Sequence, residues 1–176
     1  MSEVKVAAAQ QPEPWLRGTS TEVSSVGRGV LHALELAHED VYRWCDPLAD
    51  DDFHARPFDL PSIAFQLKHM VRSLDRLLTY AEGNQLSGEQ IALLKSEMDA
   101  VGSREEIFAE LDQGLELSAR RVRALSAGDL EQPRFVGKKQ LPTSVGGLLV
   151  HVADHTQRHV GQAVTTAKVL LAGKSL

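Results

Sequence analysis

Thr143-Ser-Val-Gly-Gly-Leu-Leu-Val-His151-Val-Ala-Asp-His155-Thr-Gln-Arg-His159-Val-Gly-Gln162, continuing to about Leu171, is the segment on which the reading of the chain turns. Val145, Val152, Thr156, Ala163 and Leu170 fall within about 20° of one direction on a wheel of 100° per residue, so one face is built for a core. Strand-like alternation is absent. Thr143 or Ser144 supplies a hydroxyl to cap the first turn. Three histidines recur four residues apart, and side chains at that spacing stand one turn above another on a single face. Imidazoles so placed can share one transition-metal ion if a further ligand arrives from another part of the chain.

Three more long amphipathic segments precede it. Val23, Val26, Val30, Leu34, Ala37, Val41 and Trp44 recur at spacings of three and four, after Ser20 and Thr21 as N-caps and before Pro47. Ile63, Leu67, Met70, Leu74 and Leu77 give a second stripe, running from Ser62 to about Tyr80, with Gly83 as its stop. Ile107, Leu111, Leu115, Val122 and Leu125 give the third, introduced by Ser103-Arg-Glu-Glu106 as a capping box and ending near Gly128. Residues 1–19 read as an irregular lead-in, 50–61 and 131–142 as loops, and Gly88 to Met98 as a short helix on a connection. No strand pattern is convincing. The expectation is one all-α domain over residues 1–176, a four-helix bundle with long connections.

Charge and composition narrow the function. A formal net charge of -5, with both signs interspersed, gives nucleic-acid binding no electrostatic footprint. No apolar run reaches the roughly 18 residues a membrane helix needs. Residues 1–14 lack the basic and apolar regions of a secretory signal. The single cysteine, Cys45, excludes an intramolecular disulfide and reads as a small buried hydrophobe beside Tyr42 and Trp44. Together these features indicate a cytoplasmic protein.

On the wheel of the last helix His159 lies about 40° from the core direction, His155 about 80° and His151 about 120°. If two of the three are ligands, this geometry favours His155 and His159, with Gln162 near the same polar seam. On the second long helix His69 falls about 120° off the apolar stripe, beside Gln66 and Ser73, a position that fits a surface residue as well as a ligand. Other chemistries lapse. The zincin motif needs a glutamate after its first histidine, whereas Val152 and Thr156 follow His151 and His155. Glu35-Leu-Ala-His38 matches one E-x-x-H unit of di-iron bundles, but no second unit accompanies it. Phosphate-cradle and serine-elbow motifs are missing.

Ser62-Ile-Ala-Phe-Gln-Leu-Lys-His69-Met-Val-Arg-Ser-Leu-Asp-Arg-Leu-Leu-Thr-Tyr80, taken with the late His155-Thr-Gln-Arg-His159-Val-Gly-Gln162, resembles the DinB/YfiT-like metalloenzymes. Glu13-Pro-Trp-Leu-Arg-Gly-Thr19 is similar to the lead-in of one branch of that family. The resemblance implies a four-helix bundle, commonly homodimeric, holding a divalent metal on three histidines. These are His69 from the second long helix and His155 and His159 from the last. Gln66, Ser73, His151 and Gln162 then become pocket residues or partners of the ligands. Where the family often has His-Arg-Gly-Gln, this chain has His159-Val160-Gly161-Gln162, so a cation at that place is missing.

Three neutral imidazoles leave a fourth coordination position for water or substrate, the arrangement of catalytic sites. Zinc and nickel both suit nitrogen ligands. The implied activity is transfer of a small thiol to an electrophile or hydrolysis of a small substrate, with no general base identifiable. The alternative is a non-catalytic dimeric bundle that binds a small ligand or a protein partner.

Overall fold

Hydroxyl caps and apolar spacing mark out four long helices in the computed structural model, which describes residues 11–174 except 19 and 100. They are α1 (Ser25–Cys45), α3 (Ile63–Ala81), α5 (Arg104–Leu125) and α6 (Val145–Gly173). Between them lie the short helices α2 (Asp50–His54) and α4 (Gly88–Lys95) and a hairpin of β1 (Pro133–Val136) and β2 (Leu141–Ser144). Part of the lead-in expected over residues 1–19 lies outside the described residues. Within them Pro14–Leu16 forms a 3₁₀ turn.

Each long helix begins where a serine side chain accepts from the backbone N–H three residues on: Ser24 from Gly27, Ser62 from Phe65, Ser103 from Glu106 and Ser144 from Gly147. These bonds satisfy donors that the first helical turn otherwise leaves orphaned. The cap of α1 is thus Ser24 rather than Ser20 or Thr21, because residues 21–23 turn before the helix starts. Ser103 and Glu106 complete the expected capping box.

The principal packing pairs are α1 with α6, α6 with α3, α3 with α5 and α5 with α1, a closed ring of four. Val30, Leu34, Val41, Leu67, Met70, Leu74, Leu111, Leu149, Val152 and Val160 fill its centre. At Gly114 on α5 an added Cβ would stand 2.7 Å from Val71 Cβ on α3, so the lack of a side chain there lets the two helices approach closely. Cys45 is fully buried, as expected of a small hydrophobe, and burial pushes its thiol up to about 12.

Two loops carry structure that periodicity did not reveal. Residues 50–54 close one helical turn beneath the buried Phe53. Residues 133–144 pair as an antiparallel hairpin in which Pro133 faces Ser144 and Val136 faces Leu141. Each strand has four residues and one proline, too little for a pattern of period two to stand out. The hairpin leads directly into Ser144 and the first turn of α6. No helix among the described residues is long and apolar enough to cross a membrane.

Candidate metal centre

Helix α3 brings His69 to the bundle flank that α6 covers, and α6 presents His155 and His159 on successive turns. One nitrogen from each of the three rings lies within 4.8 Å of the other two. Ring centroids are 4.4 Å apart for His155 and His159, 4.5 Å for His69 and His159, and 5.3 Å for His69 and His155. All three side chains are partly buried.

Their outer nitrogens are fixed by acceptors. His69 Nδ1 lies 2.7 Å from Glu97 Oε2, and His159 Nδ1 lies 2.6 Å from Gln66 Oε1. A carboxylate and an amide oxygen only accept, so both rings carry their proton on Nδ1 and present the Nε2 lone pair inward. His155 Nε2 is buried and has no hydrogen-bond partner among the described residues. A buried polar atom left alone is costly, and here it lies among rings whose own inward nitrogens carry lone pairs that can bind a cation. The donor set therefore fits a divalent transition metal: three borderline nitrogen ligands, two with partners that orient them, as metal-binding histidines ordinarily have.

Burial together with the neighbouring imidazoles depresses two of the rings. His155 is lowered to about 4, first by desolvation and then by His159, His69 and His151. His159 is lowered to about 4, again first by desolvation and then by His69 and Arg158. Both are neutral at pH 7, the form that binds metal.

The partners expected from the sequence divide in two. Gln66 is 1% exposed and holds His159, and Ser73 is 5% exposed with Oγ 3.4 Å from His69 Nε2. His151 stays at the rim: its Nδ1 bonds Asp154 Oδ2 at 3.0 Å and its ring centroid is 5.6 Å from that of His155. Gln162 is exposed, one turn beyond Arg158. Glu35 and His38 pair with Arg17 and Asp112, away from the centre.

Glu97 and Arg76 were not foreseen. Glu97 follows α4 on the connection to α5, is 4% exposed, and accepts from Arg76 Nη1 at 2.6 Å as well as from His69. Arg76 in turn donates from Nη2 to Ser73 Oγ at 2.7 Å. No spacing rule links residue 97 to residue 69, so sequence reasoning had no signal for the pair. The connection also explains why His69 is shielded although it lies off the apolar stripe: residues around Glu97 cover that second flank of α3. The same connection is tied down by Lys68 Nζ, which donates to the Val101 carbonyl.

Cavities among the described residues lie apart from the three rings. One of about 630 Å³ sits between the Pro14 turn, α1 and α5. Another of about 250 Å³ is lined by His54, Arg56, Phe65, Glu97 and Met98, and reaches the centre only through Phe65, which stacks on the His69 ring at 5.4 Å, and through Glu97.

The described residues form a helical bundle in which three histidines from its second and last long helices converge and could hold a metal ion. Residues 33–163, most of the chain and all three histidines among them, match the family model of the DinB superfamily. The chain belongs to that superfamily. A comparison with curated proteins finds no match.

Proposed function

We propose that the chain is a metal-dependent enzyme acting on a small molecule, with His69, His155 and His159 as the ligands of a divalent transition metal, zinc or nickel. The observation that carries this reading is the buried, unpartnered Nε2 of His155 among two rings whose outer nitrogens are already engaged. Three protein ligands leave one coordination position for water or substrate. When bound, such an ion lowers the pKa of water or a thiol in that position and so supplies a nucleophile near neutral pH.

The chain's own residues do the rest. Glu97 and Gln66 hold two rings in the Nδ1–H tautomer, and Arg76 keeps the Glu97 carboxylate in place. Burial keeps His155 and His159 unprotonated at pH 7. The reaction is transfer of a low-molecular-weight thiol to an electrophile, or hydrolysis of a small substrate. We place the protein in the cytoplasm, working as a homodimer without nucleic acid or membrane; sedimentation of the purified chain tests the dimer.

The direct test is metal analysis of protein purified without an affinity tag. One equivalent of zinc or nickel in the wild type, lost in His69→Ala and His155→Ala, is the expected result. A wild type that binds neither ion at micromolar concentration overturns the proposal.

A further inference from the structure

Four side chains form a closed circuit of contacts around His69. Its Nδ1–H donates to Glu97 Oε2 at 2.7 Å, and Arg76 Nη1 donates to Glu97 Oε1 at 2.6 Å. Arg76 Nη2 donates to Ser73 Oγ at 2.7 Å, and Ser73 Oγ returns to within 3.4 Å of His69 Nε2. Glu97, Arg76 and Ser73 are all more than nine-tenths buried. The charges of Glu97 and Arg76 offset each other, so the circuit holds one neutral polar group with a proton to spare: the Ser73 hydroxyl.

The direction of each bond follows from the chemistry. A guanidinium only donates, so Ser73 Oγ is the acceptor towards Arg76 and its own proton must go elsewhere. Among the described residues no backbone carbonyl takes it; the facing group is His69 Nε2, at a distance long for a hydrogen bond. Once Nε2 gives its lone pair to a metal, that acceptor disappears, and a buried hydroxyl needs another. Ser73 Oγ therefore stands beside the nitrogen that His69 would give to an ion, with a proton and no other acceptor for it among the described residues.

We infer that Ser73, held by Arg76, is the hydrogen-bond donor to whatever occupies the fourth coordination position, and that it selects ligands binding there as anions, such as hydroxide or thiolate, over neutral ones. The inference rests on the three-histidine reading proposed above. Ser73 touches the reacting ligand; Arg76 acts through it and is a positioning residue.

The test uses the full chain loaded with cobalt(II), whose visible absorption reports each change of ligand, titrated with azide as the anionic probe and imidazole as the neutral one. In Ser73→Ala, azide affinity falls tenfold or more, the loss of about one hydrogen bond to a charged group, while cobalt stoichiometry and imidazole affinity hold. Ser73→Thr, which keeps the hydroxyl, restores azide binding. Unchanged azide affinity in Ser73→Ala overturns the inference, and so does an equal fall for both probes, which would mark a general disturbance of the site. A wild type that takes up no cobalt overturns the three-histidine reading itself, an outcome distinct from loss of anion preference alone.

Discussion

His69 on α3 and Glu97 on the connection between α4 and α5 meet at 2.7 Å, Nδ1 to Oε2, with the carboxylate 4% exposed. Twenty-eight residues separate them in the chain. The carboxylate fixes which nitrogen of the ring carries the proton and raises the ring's strength as a donor to metal. Arg76 engages its second oxygen and offsets its charge, so the carboxylate is buried without being stranded.

Glu97→Gln retains an acceptor but loses the charge, and is expected to weaken zinc binding by about tenfold, at the lower end of the roughly 10–100-fold effects of such partners. Glu97→Ala removes the acceptor and leaves Arg76 buried without a counter-ion, so it costs both affinity and stability. Competition with a chromophoric chelator reads the first effect, and thermal melting of the metal-free proteins reads the second.

The metal-free protein is expected to lose stability on acidification. His155 and His159 are held at about 4, against 6.5 for a free side chain, so between those values the unfolded chain binds more protons than the folded one. Stability therefore rises with pH across that window. Their contribution is fully present above pH 6.5, declines as the pH falls, and is exhausted below about 4. Denaturant midpoints at pH 7, 5.5 and 4.5 should fall in that order. His155→Ala should flatten the trend.

Gly114→Ala is expected to destabilise the bundle by about 1–3 kcal/mol through overpacking, since its new methyl would lie 2.7 Å from Val71 Cβ and 2.9 Å from Cγ1. Val71→Ala removes Cγ1 and Cγ2 but keeps Cβ, so it relieves part of the clash. The double variant should therefore be more stable than the sum of the two single losses predicts, a coupling that a double-mutant cycle in urea measures.

Cys45 is expected to resist thiol reagents in the native state at pH 8, because its thiol is fully buried and raised to about 12. Aromatic-disulfide titration should show no reaction until denaturant is added, and then one thiol per chain. Prompt reaction of the native protein would contradict the burial of the C-terminal end of α1.

The long helices were legible because each carries apolar residues every three or four positions over about twenty residues, and the paired histidines of α6 because four residues make one turn. Ser144 could be narrowed only to itself or Thr143, since both carry a hydroxyl. The wheel placed His69 on a flank that looked open. It treats a helix as facing one core direction, whereas α3 is covered a second time by the connection bearing Glu97. Among the described residues, Glu97, Arg76 and the hairpin at residues 133–144 escaped for a shared reason: each depends on pairing between distant segments, which local periodicity does not record.

The α4–α5 connector contributes a buried carboxylate to an imidazole on another element, so seating that connector and tightening the grip on a cation are thermodynamically linked. With an ion on the three histidines, a ligand that pulls Glu97 away from the bundle would loosen that ion. Conversely, an ion that makes His69 a better hydrogen-bond donor would fasten the connector down.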